Sequence, residues 1–198
     1  MARRAYDLLE KRSMKKESIK NQSGFTIIEL VVVIILLGIL AATALPRFMD
    51  VTDEAHDSVV TGVSGGLQTG MSLYHAQWVA EGQPAASVQM TDFGSLRTTP
   101  EGYPYGTVDN SGTVDDVVND ADCSAIFTNV LQSGAPSISA VADAAGVVGA
   151  ATDFAAHEDS DDCLYYYTAA SSATGAVVPT LSYDSETGQV TQSTATLP

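Results

Sequence analysis

The sequence predicts an α+β fold, with one long N-terminal helix packed on a small antiparallel β-sheet and a C-terminal region bounded by two cysteines. Three observations carry this. Phe25–Leu45 (FTIIELVVVIILLGILAATAL) is a 21-residue apolar run interrupted only by Thr26, Glu29 and Thr43. Apolar residues then recur every three or four positions as far as Trp78, the spacing of one helical face. Beyond Cys123, the segments Leu164–Ala169, Val177–Tyr183 and Gln189–Thr194 are rich in β-branched and aromatic residues and separated by turn formers, as strands are.

The chain has 198 residues, enough for one domain and an anchor. Residues 1–24 form a polar, basic leader without apolar periodicity. Seven of the nine cations lie in it, and only Arg47 and Arg97 follow. Past Gly24 these two face 21 acids, a net charge of −19. That balance repels nucleic acid and anionic membrane surfaces, and no direct nucleic-acid partner is expected. Met14 precedes Lys15 and Lys16; a start there would shorten the leader to MKKESIKNQSG and make Met1–Ser13 an extension.

Residues 25–45 are long enough to span a bilayer core of about 30 Å at about 1.5 Å per residue. The cationic leader keeps the N-terminal end cytoplasmic and sends the acidic remainder across the membrane. Two fates compete for leader and anchor. A secretory signal would be cut at the small residues Ala42-Thr43-Ala44; its apolar run is usually shorter, and Glu29 would serve nothing in a discarded peptide. In the other fate the cut follows Gly24 and the helix is kept.

Residues 46–79 continue the helix as an amphipathic segment. Phe48, Val51, Ala55, Val59, Val63, Leu67, Met71, Tyr74 and Trp78 form the apolar face; Asp50, Asp53, Glu54, Asp57 and Gln68 lie off it. The whole helix would be about 80 Å long. Pro46 lacks an N–H and should kink it. Gly62, Gly65, Gly66 and Gly70 either admit a close neighbour or fray the helix near Gly65-Gly66. Tyr74 and Trp78 are expected as core anchors.

The globular head is expected over 80–198. Its first part, to Asp122, reads as a loop rich in Gly and Pro, with one short strand around Tyr103–Val108 and a turn at Asp109–Gly112. Asp109, Asp115, Asp116, Asp120 and Asp122 lack the glycine and glutamate placement of a calcium loop; a solvated acidic loop is favoured over a cation site. Ser124–Gln132 can form a short helix, Ala140–Ala151 is ambiguous, and Asp184–Gly188 (DSETG) is a hairpin loop. In an oxidising compartment Cys123 and Cys163 are expected to pair, the alternative being two buried thiols. Closing that loop would contribute about 4 kcal/mol on the chain-entropy model.

No catalytic constellation is present. His56, His75 and His157 stand in no zinc motif, and there is no P-loop, nucleophile elbow or dinucleotide fingerprint. His157–Asp162 (HEDSDD) is the densest polar cluster and reads as an acidic surface loop. No enzyme activity, cofactor or metal is expected.

Gly24-Phe25-Thr26-Ile27-Ile28-Glu29-Leu30, followed by an unbroken apolar run with Gly38 and Pro46, resembles the processing motif of type IV pilins. The resemblance implies that a prepilin peptidase cuts between Gly24 and Phe25 and methylates the Phe25 amine. It implies a helical homo-oligomeric filament in which Glu29 of one subunit pairs with the Phe25 amine of its neighbour, neutralising two charges in an apolar core; the alternative is that Glu29 snorkels to the interface. Gly38 and Pro46 would bracket a helix segment able to unwind. Implied partners are an assembly ATPase, an inner-membrane platform and an outer-membrane secretin. Gly102-Tyr103-Pro104, Cys123 with Ile126-Phe127, Cys163 with Tyr165 and Tyr167, and Tyr183-Asp184-Ser185 before Gly188-Gln189-Val190 resemble the mannose-sensitive haemagglutinin pilins, although Phe127 stands where that group would have Trp. A major pilin for surface attachment is thus the leading expectation, and a minor pilin or secretion pseudopilin the alternative.

Overall fold

In the computed structural model, the structure describes residues 24–86, 88–107, 119–160 and 162–198. The leader expected over residues 1–23, including Met14, lies outside the described residues, as do the acidic turn at Asp109–Gly112 and the positions Asp115, Asp116 and Asp161. The chain forms two compact units, one ending at Arg47 and the other covering Phe48–Pro198.

A single helix, α1, spans Ile27–Ala80 with Pro46 inside it. In the second unit α1 buries Val60, Val63, Leu67, Met71, Tyr74 and Trp78, an i, i+3/i+4 stripe. Val60 replaces the expected Val59, which is 44% exposed; Phe48 and Val51 are 71% and 61% exposed. The face therefore begins to be covered only at Val60, about three helical turns after Phe48, where its periodicity starts. Gly66 and Gly70 lie against Leu131 and Val130 of a second helix, whereas a Cβ at Gly62 or Gly65 would meet nothing. Two of the four glycines thus serve close approach, and α1 runs unbroken through all four.

The segment after α1 holds more order than expected. β1 (Gln89–Met90), β2 (Leu96–Thr98) and β3 (Pro104–Gly106) form a three-stranded antiparallel sheet. Strands this short are masked in sequence by the Gly and Pro around them. Helix α2 covers Asp120–Leu131, starting four residues before the expected helix. The Asn119 side chain accepts from the Asp122 N–H at 3.0 Å, an N-cap, and Asp120 and Asp122 in the first turn suit the helix dipole.

The main sheet has the order β4-β5-β6-β7-β8, with β4 Ile138–Ala140, β5 Phe154–Asp159, β6 Asp162–Tyr167, β7 Val177–Asp184 and β8 Val190–Thr196. β5 to β8 are antiparallel, and β4 adds to β5 in parallel. The three expected strands are β6, β7 and β8. β5 was not legible: both of its faces are buried, Phe154 and Ala156 in the main core and Ala155 in a second cluster, so FAAHED shows no alternation. His157 and Glu158 accordingly stand in a strand, not a loop. The ambiguous Ala140–Ala151 segment carries a short 3-10 turn, Ala144–Val147. Val147 there packs with Ala155, Tyr166, Val178 and Leu197 on the reverse face of the sheet.

The main core joins α1, α2 and both sheets. Phe127 packs on Phe154 and Tyr165, each with ring centroids 5.1 Å apart. Three buried tyrosines carry their hydroxyls to backbone carbonyls: Tyr74 to Leu96 at 3.1 Å, Tyr165 to Cys123 at 3.1 Å and Tyr183 to Pro104 at 2.8 Å. Each ring fills the core while its hydroxyl ties a neighbouring element to it. Burial pushes all three phenols well above their ordinary pKa. Cys123 and Cys163, both fully buried, form the disulfide, with Cα atoms 5.4 Å apart.

Candidate assembly site on the N-terminal helix

The start of α1 is a capping box. The Thr26 hydroxyl accepts from the Glu29 N–H at 3.2 Å, and Glu29 Oε2 accepts from the Thr26 N–H at 2.9 Å and the Thr26 hydroxyl at 2.8 Å. This reciprocal pairing satisfies two donors that a helix N-terminus otherwise leaves open. The signal was present in the sequence as T-x-x-E ahead of an apolar run. It gives Glu29 a role within its own chain, alongside any role between chains. Glu29 Oε1 accepts no hydrogen bond among the described residues, so half of the carboxylate is uncommitted.

Gly24 and Phe25 precede the helix, and the Phe25 side chain is 87% exposed. Ile27–Phe48 is long and apolar enough to cross a membrane, and none of it is buried within the chain. Within the apolar run the Thr43 hydroxyl donates to the Leu40 carbonyl at 3.0 Å, so this hydroxyl is satisfied locally, as an apolar medium requires; Arg47 stands at the far end of the segment. At Gly38 a Cβ would meet nothing, so the subunit alone does not demand glycine there.

In the second unit, Gln68 does more than lie off the apolar face. Its amide donates to the Gly188 carbonyl at 3.3 Å and accepts from the Val190 N–H at 2.9 Å, clamping the β7–β8 hairpin to α1. His56 Nδ1 meets the Tyr167 hydroxyl at 2.7 Å. His157 Nδ1 lies 3.1 Å from Asp120 Oδ1, which also accepts from the Glu158 N–H at 2.8 Å. Among the described residues no group of three or more His, Cys, Asp or Glu is arranged to hold a metal. The site is the N-terminal turn and the apolar surface behind it, with Gly38 and Pro46 farther along the same helix.

Residues 19–45 match the family model described as the prokaryotic N-terminal methylation motif. The chain is similar to the type IV narrow pilus major component of Thermus thermophilus, 35% identical over 91 residues that make up 46% of this chain and 75% of that protein. It resembles a fimbrial protein of Neisseria meningitidis, 38% identical over 74 residues, covering 36% of this chain and 44% of the relative. It also resembles the type II secretion system core protein G of Pseudomonas aeruginosa, 40% identical over 55 residues, or 28% of this chain and 39% of that one. The chain thus spans less than half the length of the latter two, and no solved structure matches it. A membrane-length apolar helix capped by Thr26 and Glu29, an antiparallel sheet packed on its continuation, a head disulfide, and a relative matched over three quarters of its length together show that this chain belongs to the type IV pilin family.

Proposed function

We propose that this chain is the major structural subunit of an extracellular type IV pilus serving surface attachment, and is not an enzyme. In this reading a prepilin peptidase cuts between Gly24 and Phe25 and methylates Phe25. The subunit waits in the inner membrane, N-terminus cytoplasmic, until an ATPase, a platform protein and a secretin assemble and export the filament. The observation that carries the reading is the half-committed Glu29 on an otherwise apolar, uncovered helix. A lone carboxylate in hydrocarbon costs about 3 kcal/mol. The cap uses one oxygen, and the other is free for the ammonium of a neighbour's Phe25. Filament packing would then cover Ile27 to Leu45 together with Phe48 and Val51, which the subunit leaves bare. Gly38 and Pro46 are assigned to flexibility of this helix, and the head is placed near the mannose-sensitive haemagglutinin group.

Mass and N-terminal sequence of sheared surface fibres test the reading: a methylated Phe25 start is expected, and a Leu45 start overturns it. An independent check uses composition. No lysine follows Lys20, so the mature chain has one amine, on Phe25. Intact fibres should resist amine-reactive dyes. The similarity to core protein G favours a second reading, a secretion pseudopilin, which predicts scarcity in sheared surface fractions.

A further inference from the structure

The main sheet has two edges of unequal length, β4 with three residues and β8 with seven. β8 pairs with β7 in continuous register from Tyr183↔Val190 to Val177↔Thr196. Antiparallel ladders alternate between pairs that exchange hydrogen bonds and pairs that do not. The Asp184 N–H donates to the Gln189 carbonyl and the Leu197 N–H to the Ala176 carbonyl, which fixes the phase. Thr191, Ser193 and Ala195 therefore bond inward to β7. Val190, Gln192, Thr194 and Thr196 direct their N–H and C=O outward. Pro179, which has no N–H, stands opposite Thr194, as this phase requires.

Of the four outward residues, Val190 gives its N–H to Gln68. No hydrogen bond occupies the outward backbone groups of Gln192, Thr194 and Thr196 among the described residues. All three are exposed. An open groove of about 490 Å³ lies along this edge, lined by Asp57, Val60 and Thr61 of α1 and by Pro179 and Gln192–Thr194. Exposed edges are normally blunted by charge, proline or a bulge. β8 (VTQSTAT) has none of these.

The geometry points to β8 as a strand-pairing surface whose occupant is β8 of a second copy, joining the heads of neighbouring filaments. Self-complementarity selects this occupant, and charge permits it. The chain beyond Gly24 has a net charge of −19, yet Gln189–Pro198 carries no charged side chain. A two-fold antiparallel register centred on Thr194 sets Thr194 opposite Thr194, and Gln192 opposite Thr196, twice. Every outward N–H and C=O of those three residues is then paired, and no acid in either strand faces another. Each contact is small, but a filament repeats it many times, and multivalency converts weak pairing into side-by-side bundling. The inference rests on the filament reading above.

The test uses intact sheared filaments. Thr194→Pro removes an outward N–H and no bond to β7, so the head should melt as in the unchanged protein. The fraction of filament that pellets at low speed should fall roughly tenfold, as expected when every contact of a multivalent array is lost. Thr194→Cys should give disulfide-linked dimers on oxidation, and Ser193→Cys, opposite Ala195 in this register, should not. Bundling by Thr194→Pro equal to the unchanged protein, or equal cross-linking by the two cysteine variants, overturns the inference and leaves the pilin reading intact. Absence of filaments from the unchanged protein would overturn the pilin reading, and this inference with it.

Discussion

Gly65 and Gly70 lie on the same helix five residues apart, and the same substitution should act on them with opposite sign. Alanine in place of either gains about 1 kcal/mol of helix propensity. At Gly65 the added Cβ meets nothing within 4 Å, so the gain is kept. At Gly70 it would meet the Val130 side chain within clash distance and the Val130 carbonyl oxygen at 3.2 Å. The side chain can rotate, but the carbonyl belongs to α2, which the disulfide and the Tyr165 hydroxyl hold in place. Overpacking of this kind costs about 1–3 kcal/mol, which exceeds the propensity gain. Gly65→Ala should raise the melting temperature of the full-length chain in detergent by about 2–4 °C, for a unit of roughly 150 residues. Gly70→Ala should lower it by a similar amount. Near-ultraviolet circular dichroism follows both, because the tyrosines and Trp78 sit in the core that α1 and α2 share. Equal shifts of the same sign in the two variants would refute the claim that α2 crosses α1 at Gly70.

Other expectations follow from single contacts. Gln68→Ala breaks both ties to the β7–β8 hairpin and should destabilise the head by about 1–2 kcal/mol in chemical denaturation. Tyr183→Phe leaves the Pro104 carbonyl buried without its donor and should cost about 1–3 kcal/mol with little change in core volume. Partial burial raises the Asp184 pKa, but hydrogen bonds from the Thr187 hydroxyl, the Thr187 N–H and the Glu186 N–H outweigh it, so the carboxyl sits below its ordinary value. A depressed pKa contributes stability above the unfolded value that is lost as pH falls through the folded one; Asp184→Asn should therefore lower stability at neutral pH and flatten the acid limb, so that the variant and the unchanged protein converge as pH falls. Glu29→Ala should still be processed but should not enter filaments, and normal fibres from that variant would remove the pairing role.

The N-terminal helix was legible because it is local, whereas its Thr26–Glu29 cap emerged only in the structure. The length of the apolar run and the glycine ahead of it are properties of neighbours in the chain, and the helix follows from them without tertiary help. β6, β7, β8 and their DSETG turn were legible for the same reason, since each has one clear pattern and a turn of fixed chemistry. β5 was not, because burial on both faces erases the alternation that marks a strand, and β1 to β3 are too short to carry a period.

What only the tertiary structure decided is which side chains are partnered. Periodicity could not distinguish Val59 from Val60, since both lie within the width of an apolar stripe and only the position of the sheet chooses between them. Gly66 and Gly70 have the same local chemistry as Gly62 and Gly65; the crossing of α2 makes the first pair necessary and leaves the second free. Gln68 looks like any solvated residue until the hairpin arrives at its amide. The sequence by itself determined the helix and the pairing-competent strands, because short-range sterics and hydrogen bonding specify them. Contacts between elements distant in the chain depend on the packed arrangement as a whole, and no local pattern records them.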